Sequence, residues 1–259
     1  MSAATPSAPK LEGWDCHAHV FGPYAQFPLA ADRSYTPPEA PAAAYRQRLQ
    51  SLGLGHGVLV QPSAYGDNHT LLRAVLAEQP ALRGVAVVRA QDSALCSQLP
   101  ALRADGVRGL RFSHRSGNGT NFAGSATLDD LAVLAPAMAD AGLHAELWTD
   151  CAALPAVAAR LWGLPVPVVI DHMGGFDVSA GVAAPGFQCL LDWLGTGRAW
   201  VKLCAYRNLL GHADLEAGQV FQKALVAANP HVAYARVATL FEPAAESRRG
   251  IHPTAWVSP

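Results

Sequence analysis

The sequence predicts an α/β fold, a (β/α)8 TIM-like barrel. Three observations carry that expectation. Short apolar runs rich in β-branched residues alternate with Ala/Leu-rich stretches of helical period, the pattern of a parallel sheet covered on both faces. Seven such units follow one another without a linker or a shift in composition, within 259 residues, about the length one barrel needs. Ionisable side chains recur at the carboxyl end of run after run, where a barrel carries its chemistry.

Residues 1–9 (MSAATPSAP) are expected to be a disordered tail, and 10–230 to form one barrel domain. The first strand is 14–21, WDCHAHVF. Residues two apart on a strand share a face, so Asp15, His17 and His19 are expected on one side and Cys16, Ala18 and Val20 on the other. Segment 22–40 is Pro-rich and long for a strand-to-helix connection, and is expected to fold over the mouth of the site. Helix 41–52 leads to strand 57–62, and helix 69–78 to strand 84–89. Helix 93–104 precedes strand 107–113, whose Arg108 and Arg111 fall on opposite faces. Helix 127–141, strand 144–149, helix 152–162, strand 166–173, helix 184–194, strand 199–206 and helix 214–228 complete the series.

Composition removes several classes of function. Apolar residues make up 51% and charged ones 15%, which suits a large core and excludes a disordered chain. A net charge of −1 leaves no electrostatic footprint for nucleic acid. No apolar run approaches the ~20 residues of a membrane-spanning helix, and no Lys/Arg-led signal opens the chain, so a cytoplasmic protein is expected. The five cysteines (Cys16, Cys96, Cys151, Cys189, Cys204) are scattered and in no C-x-x-C spacing, which reads as free thiols of a reducing compartment. Nothing in the chain sets an oligomeric state.

The strand ends supply the candidate site. Strand one ends in His17 and His19; strand two runs into Gln61, Ser63, Tyr65, Asp67 and Asn68. Strand four contributes Arg108 and Arg111, then His114 and Arg115; strand five Glu146 and Trp148; strand six Asp171 and His172; strand seven Lys202, Tyr206 and Arg207. His17 and His19 read either as core histidines tied to carbonyls or as imidazoles converging on one point for metal binding or acid/base work. The Asp171–His172 pair favours the functional reading. Arg115 fits a surface group equally well, Glu146 an arginine partner, Trp148 core packing, and Asn68 a helix cap.

Together the stretches DCHAHVFGP, SYTPPEAP, VQPSAYGDN, GVRGLRF, VPVVIDHMG and WVKLCAYR, in order from residue 14 to about 230, resemble the amidohydrolase superfamily. The resemblance is to the branch of 2-pyrone-4,6-dicarboxylate lactonase and related sugar-lactone hydrolases. It implies a (β/α)8 barrel that hydrolyses a small anionic lactone without metal. Carried over, His17, His19 and His172 surround the ester carbonyl as catalytic groups. Arg111 and Arg207 clamp carboxylates, and Tyr35, Ser63, Tyr65, Arg115 and Trp148 line the substrate pocket. Metal-binding relatives place a histidine on strand five where this chain has Glu146 and Trp148, so no cofactor is expected. The alternative is a metal-dependent amidohydrolase or decarboxylase holding one divalent ion, Zn or Mn, at His17, His19, Glu146 and His172. A barrel that binds an acidic metabolite without turnover is a third reading.

Two departures stand out. The lactonase pattern has an arginine where this chain has Gly175, and the loop 113–122 (SHRSGNGTNF) offers other anion-binding groups. The family also continues past ALVAANP with strand eight and a Trp-Gly-(Ser/Thr)-Asp-Trp-Pro-His signature, whereas residues 231–259 contain no aspartate. The barrel is therefore expected to be incomplete or altered at strand eight, with impaired activity. A shifted reading frame or a sequence error is the expected cause; codons for Arg236 to Thr239 read two bases on can spell Gly-Ser-Asp, which is consistent with it.

Overall fold

The computed structural model describes residues 13–91, 94, 97–116, 122–204, 208–209 and 216–228. Seven strands form one parallel sheet in sequence order: β1 (Trp14–Ala18), β2 (His56–Val60), β3 (Leu82–Ala86), β4 (Val107–His114), β5 (His144–Thr149), β6 (Val168–Ile170) and β7 (Ala199–Val201). The helices are α1 (Ala42–Ser51), α2 (Thr70–Glu78), α3 (Leu99–Ala104), α4 (Leu128–Asp140), α5 (Leu154–Trp162), α6 (Pro185–Gly195) and α7 (Glu216–Ala228). Each expected strand and helix has a counterpart, most with changed bounds: the helix expected at 93–104 is Leu99–Ala104, the strand expected at 84–89 lies at Leu82–Ala86, and the last two strands are shorter than expected.

The sheet is curled. In a flat sheet β1 and β7 would stand about 29 Å apart, six spacings of about 4.8 Å. Yet Lys202, just past β7, reaches within 3.2 Å of His17 on β1. Only a sheet bent nearly into a circle permits that contact, so the fold is a TIM-like barrel short of one strand among the described residues. The expected eighth strand, the N-terminal tail and the segment 231–259 lie outside the described residues.

Strand alternation divides the interior into two compartments. Outward residues such as Leu59, Ala86, Leu110, Phe112, Ala145, Leu147, Val168 and Ile170 pack under the helices in one large core. Inward residues Val58, Val60, Val85, Val169 and Trp200, with Trp14 and Cys16, fill the barrel floor. Helix α4 is held at its start by a capping box: Thr127 accepts from the Asp130 N–H, and Asp130 accepts from the Thr127 N–H. Asn68 Oδ1 accepts the Thr70 N–H in an Asx turn leading into α2, whereas the N-cap itself, expected at Asn68, is His69. Cys16, Cys151, Cys189 and Cys204 are free thiols; Cys96 lies outside the described residues. Among the described residues no helix is long and apolar enough to cross a membrane.

Strand β1 departs from simple alternation. Asp15 pairs with Gly57 and Ala18 with Leu59, so β1 spends one more residue than β2 over that interval, a β-bulge. The expected faces of Asp15 and Cys16 are therefore exchanged. Cys16 joins the barrel floor, while Asp15 turns outward and accepts from Tyr45 Oη of α1 at 3.2 Å. Gly57 leaves the room Tyr45 needs, since a Cβ there would overlap its hydroxyl. After the bulge His17 points inward, and His19 two residues on follows it, as expected for both.

Candidate active site

At the carboxyl rim of the sheet the inward residues become charged. Arg111 on β4 is in register with Glu146 on β5. Asp171 and Lys202 each follow the registered pair Val169–Trp200 by two residues, so both point inward above it. The Lys202 ammonium lies 2.5 Å from Glu146 Oε2 and 3.4 Å from Asp171 Oδ1. Arg111 donates to Asp171 Oδ2 at 3.3 Å, and His17 Nδ1 is 3.3 Å from Asp171 Oδ1. Glu146 and Asp171 are 0% exposed, so these cations are what makes two buried carboxylates tolerable.

The two acids share the cations unequally. Burial would raise the carboxyl of Asp171, but Lys202, His17 and Arg111 outweigh it and hold it well below the usual range. Glu146 is pushed up to about 7, first by burial and then by the negative charge of Asp171, against the pull of Lys202. Burial would lower the Lys202 amine, but the two carboxylates keep it above its ordinary value. His17 is held well below 6.5 by burial and the adjacent ammonium, so its ring is neutral. Beneath them His144 is neutral too, lowered to about 3 by burial and Lys202, and Gly109 on the neighbouring strand gives it space.

Above this layer opens a cavity of about 540 Å3. His19, Ser63, Arg111, Arg115, Trp148, His172 and Tyr35 all line it, seven of the ten residues expected around the substrate. The His17 ring lies between two of them, its centre 5.0 Å from His19 and 4.7 Å from His172. His19 Nδ1 is 2.6 Å from the Val60 carbonyl, which only accepts, so Nδ1 carries the hydrogen and Nε2 is the acceptor nitrogen. His172 and Met173 have φ of 50° and 53°, left-handed values uncommon for side-chain-bearing residues. The sharp turn after β6 is thus what swings His172 over the rim, and Asn208 Nδ2 ties its carbonyl at 3.0 Å.

Segment 22–40 folds over the mouth as expected. It is cinched by the Phe21–Ala40 backbone bridge and delivers Ser34 and Tyr35 to the cavity. Tyr65, expected in the pocket, instead sits buried under this loop and accepts the Gly22 N–H at 2.8 Å. One wall is an aromatic shelf: Phe122 stacks on Trp148 at 4.9 Å, and the Arg115 guanidinium lies 4.9 Å from the Trp148 ring. Arg115 is steered by Asp150 at 3.5 Å. Gln61, a strand-end candidate, lines it too, as do Ser125 and Phe122, which were not expected there; Phe122 follows a glycine-rich stretch and offers no periodic signal. At Gly175, where the resemblance would place an arginine, φ is +53° and a Cβ would come within 2.9 Å of the Thr149 carbonyl. Arg207 lies outside the described residues.

A resident metal can be tested against these donors. Among the described residues His17, Asp171 and His172 bring ligand atoms within 4.8 Å of one another. This differs from the alternative set expected, with Asp171 in place of Glu146 and without His19. Asp171 is the only carboxylate of the group, and its oxygens already face Lys202 and Arg111. A divalent ion would join two cations around one acid in a buried place, and the residues present do not fit it.

The rim thus brings paired imidazoles, a buried acid at the end of β6 and two guanidiniums to one concave pocket. The family profile described as Amidohydrolase matches residues 14–245, and the chain belongs to that family. It is 33% identical over 212 residues to a 2-pyrone-4,6-dicarboxylate hydrolase of Comamonas testosteroni, covering 80% of this chain and 68% of that one. It is 32% identical over 191 residues to a 4-sulfomuconolactone hydrolase of Hydrogenophaga intermedia, covering 73% of this chain and 61% of the relative. The chain thus spans about three fifths of the length of that relative. A solved structure from Pseudomonas putida, provisionally named a 2-pyrone-4,6-dicarboxylic acid hydrolase, superposes with a TM-score of 0.70 at 32% identity, covering 86% of this chain and 79% of that one.

Proposed function

We propose that the chain is a lactonase-type hydrolase of a small anionic lactone, working without a metal ion. One observation carries the reading: His19 and His172, with His17 against both rings, share a cavity with Arg111 and Arg115. Lactone hydrolysis needs a group to take a proton from water, a donor for the oxyanion, and cations for the substrate's acids. His19 Nε2, the acceptor nitrogen, is placed to take that proton. His17 Nδ1 lies 3.2 Å from the Lys202 ammonium and 3.3 Å from Asp171 Oδ1, so its ring is held in place from both sides. His172 lines the cavity and serves the carbonyl oxygen as donor, with the His17 ring packed behind it.

The steps balance. Water oxygen bonds to the carbonyl carbon, its proton passes to His19, the ring C–O bond breaks, and the leaving oxygen takes the proton back. Arg111 and Arg115 hold the anionic substituents, and the flat ring lies along Trp148 and Phe122. The substrates that name the relatives, a pyrone dicarboxylate and a sulfomuconolactone, are lactones that carry anionic groups. His19 is backed by a neutral carbonyl rather than a carboxylate, so it is a modest base. The family's strand-eight aspartate has no counterpart in 231–259, and general-base catalysis is worth about 10²–10⁴-fold. Turnover by this chain is accordingly slow.

The test follows loss of the ultraviolet absorbance of 2-pyrone-4,6-dicarboxylate, with 4-sulfomuconolactone in parallel. Slow hydrolysis indifferent to chelator is expected, rising about 10²–10⁴-fold when the family's strand-eight ending is restored. Activity abolished by chelator, or unchanged by the restored ending, would refute the respective part. Sequencing the encoding DNA past residue 230 tests the reading-frame explanation directly.

A further inference from the structure

The site contains a cation of its own. Lys202 Nζ is 2.5 Å from Glu146 Oε2, 3.2 Å from His17 Nδ1 and 3.4 Å from Asp171 Oδ1. Two carboxylates and an imidazole nitrogen around one positive atom is a donor set that zinc and similar ions take in proteins. Here the positive atom is an ammonium, delivered from the end of β7 to donors on β1, β5 and β6.

We infer that Lys202 is a built-in substitute for a divalent metal: its ammonium fills the point shared by Glu146, Asp171 and His17 and keeps metal out. Two features support this. The N···O and N···N distances, 2.5–3.4 Å, suit hydrogen bonds to an ammonium and exceed the ~2.0–2.2 Å of zinc bonds to nitrogen and oxygen. The charges of Glu146, Asp171, Lys202 and Arg111 also sum to zero when both acids are ionised, so an added ion would be uncompensated. Lys202 is a positioning residue: it lines no part of the cavity, and it acts by fixing the imidazole of His17 and the acids behind it. Removing its side chain leaves three donors around a space that an ion can fill after small side-chain shifts.

This inference takes from the proposed function only that the site works without metal. Its test counts ions and needs no turnover, so either idea can fail alone. The full chain and Lys202→Ala are incubated with excess Zn2+, desalted, and analysed for metal by mass spectrometry. Less than about a tenth of an equivalent is expected in the unaltered chain and about one equivalent in Lys202→Ala, with zinc raising the melting temperature of the variant alone. Adding Glu146→Gln to Lys202→Ala should remove most of the bound zinc. Recovery of Lys202→Ala only from zinc-supplemented medium also supports the inference. A folded Lys202→Ala that retains no more zinc than the unaltered chain overturns it. So does a full equivalent on the unaltered chain that Asp171→Asn abolishes, a measurement that stands even if Lys202→Ala never folds.

Discussion

Lys202→Met keeps most of the apolar stem of residue 202 and deletes its charge. At an effective dielectric constant of about 20, the ammonium attracts Glu146 at 2.5 Å and Asp171 at 3.4 Å by about 7 and about 5 kcal/mol respectively. Those gross terms are opposed by the desolvation of three buried ions, several kcal/mol each, so the net value of the cluster is small. Removing one member is different, because it leaves the others desolvated without compensation, at a cost of about 3–5 kcal/mol. Against a typical total of about 5–15 kcal/mol that is a large fraction, worth roughly 6–20 °C in melting temperature for a domain of this size. Urea titration in the presence of chelator, at pH 8 where Glu146 is ionised, measures it. The double variant Lys202→Met/Glu146→Gln should recover more than half of the loss, since the orphaned charge is gone. A loss below about 1 kcal/mol in Lys202→Met would mean that the carboxylates have another source of compensation, and the account of the site as a balanced ion cluster would be wrong.

Three further outcomes follow from the same geometry. Folded Glu146 keeps its proton up to about pH 7, whereas an unfolded one loses it near 4.5, so its contribution is full below 4.5 and is lost as pH rises to about 7. Stability of the unaltered chain relative to Glu146→Gln should therefore fall by about 3 kcal/mol over that window in parallel urea titrations; a flat difference would show that Glu146 is not the group that holds the proton. Trp148→Ala removes the shelf carrying Phe122 and Arg115, and should raise KM for the lactone about 2–10-fold with little change in kcat; an unchanged KM would place the substrate elsewhere. Gly109→Ala puts a methyl 2.5 Å from His144 Nε2 in a buried layer, and should cost about 1–3 kcal/mol in a thermal melt; a neutral result would mean that His144 can swing aside.

Periodicity alone determined the order of strands and helices, because a buried parallel strand and its covering helix bury different spacings of the same chain. It also placed His17, His19, Arg111, Glu146, Trp148, Asp171, His172 and Lys202 at strand ends, and the rule that barrels work at that rim then selected them. What local pattern could not express was contact between segments far apart in the chain. The bulge that exchanges Asp15 and Cys16 depends on how β1 pairs with β2, and Tyr65 braces the loop through Gly22 only once segment 22–40 has folded back. Lys202 reads in sequence as one more polar residue after an apolar run. It becomes the counter-charge of Glu146 and Asp171 only because the sheet curls and brings β7 back to β1, and burial there turns modest surface charges into interactions that decide protonation.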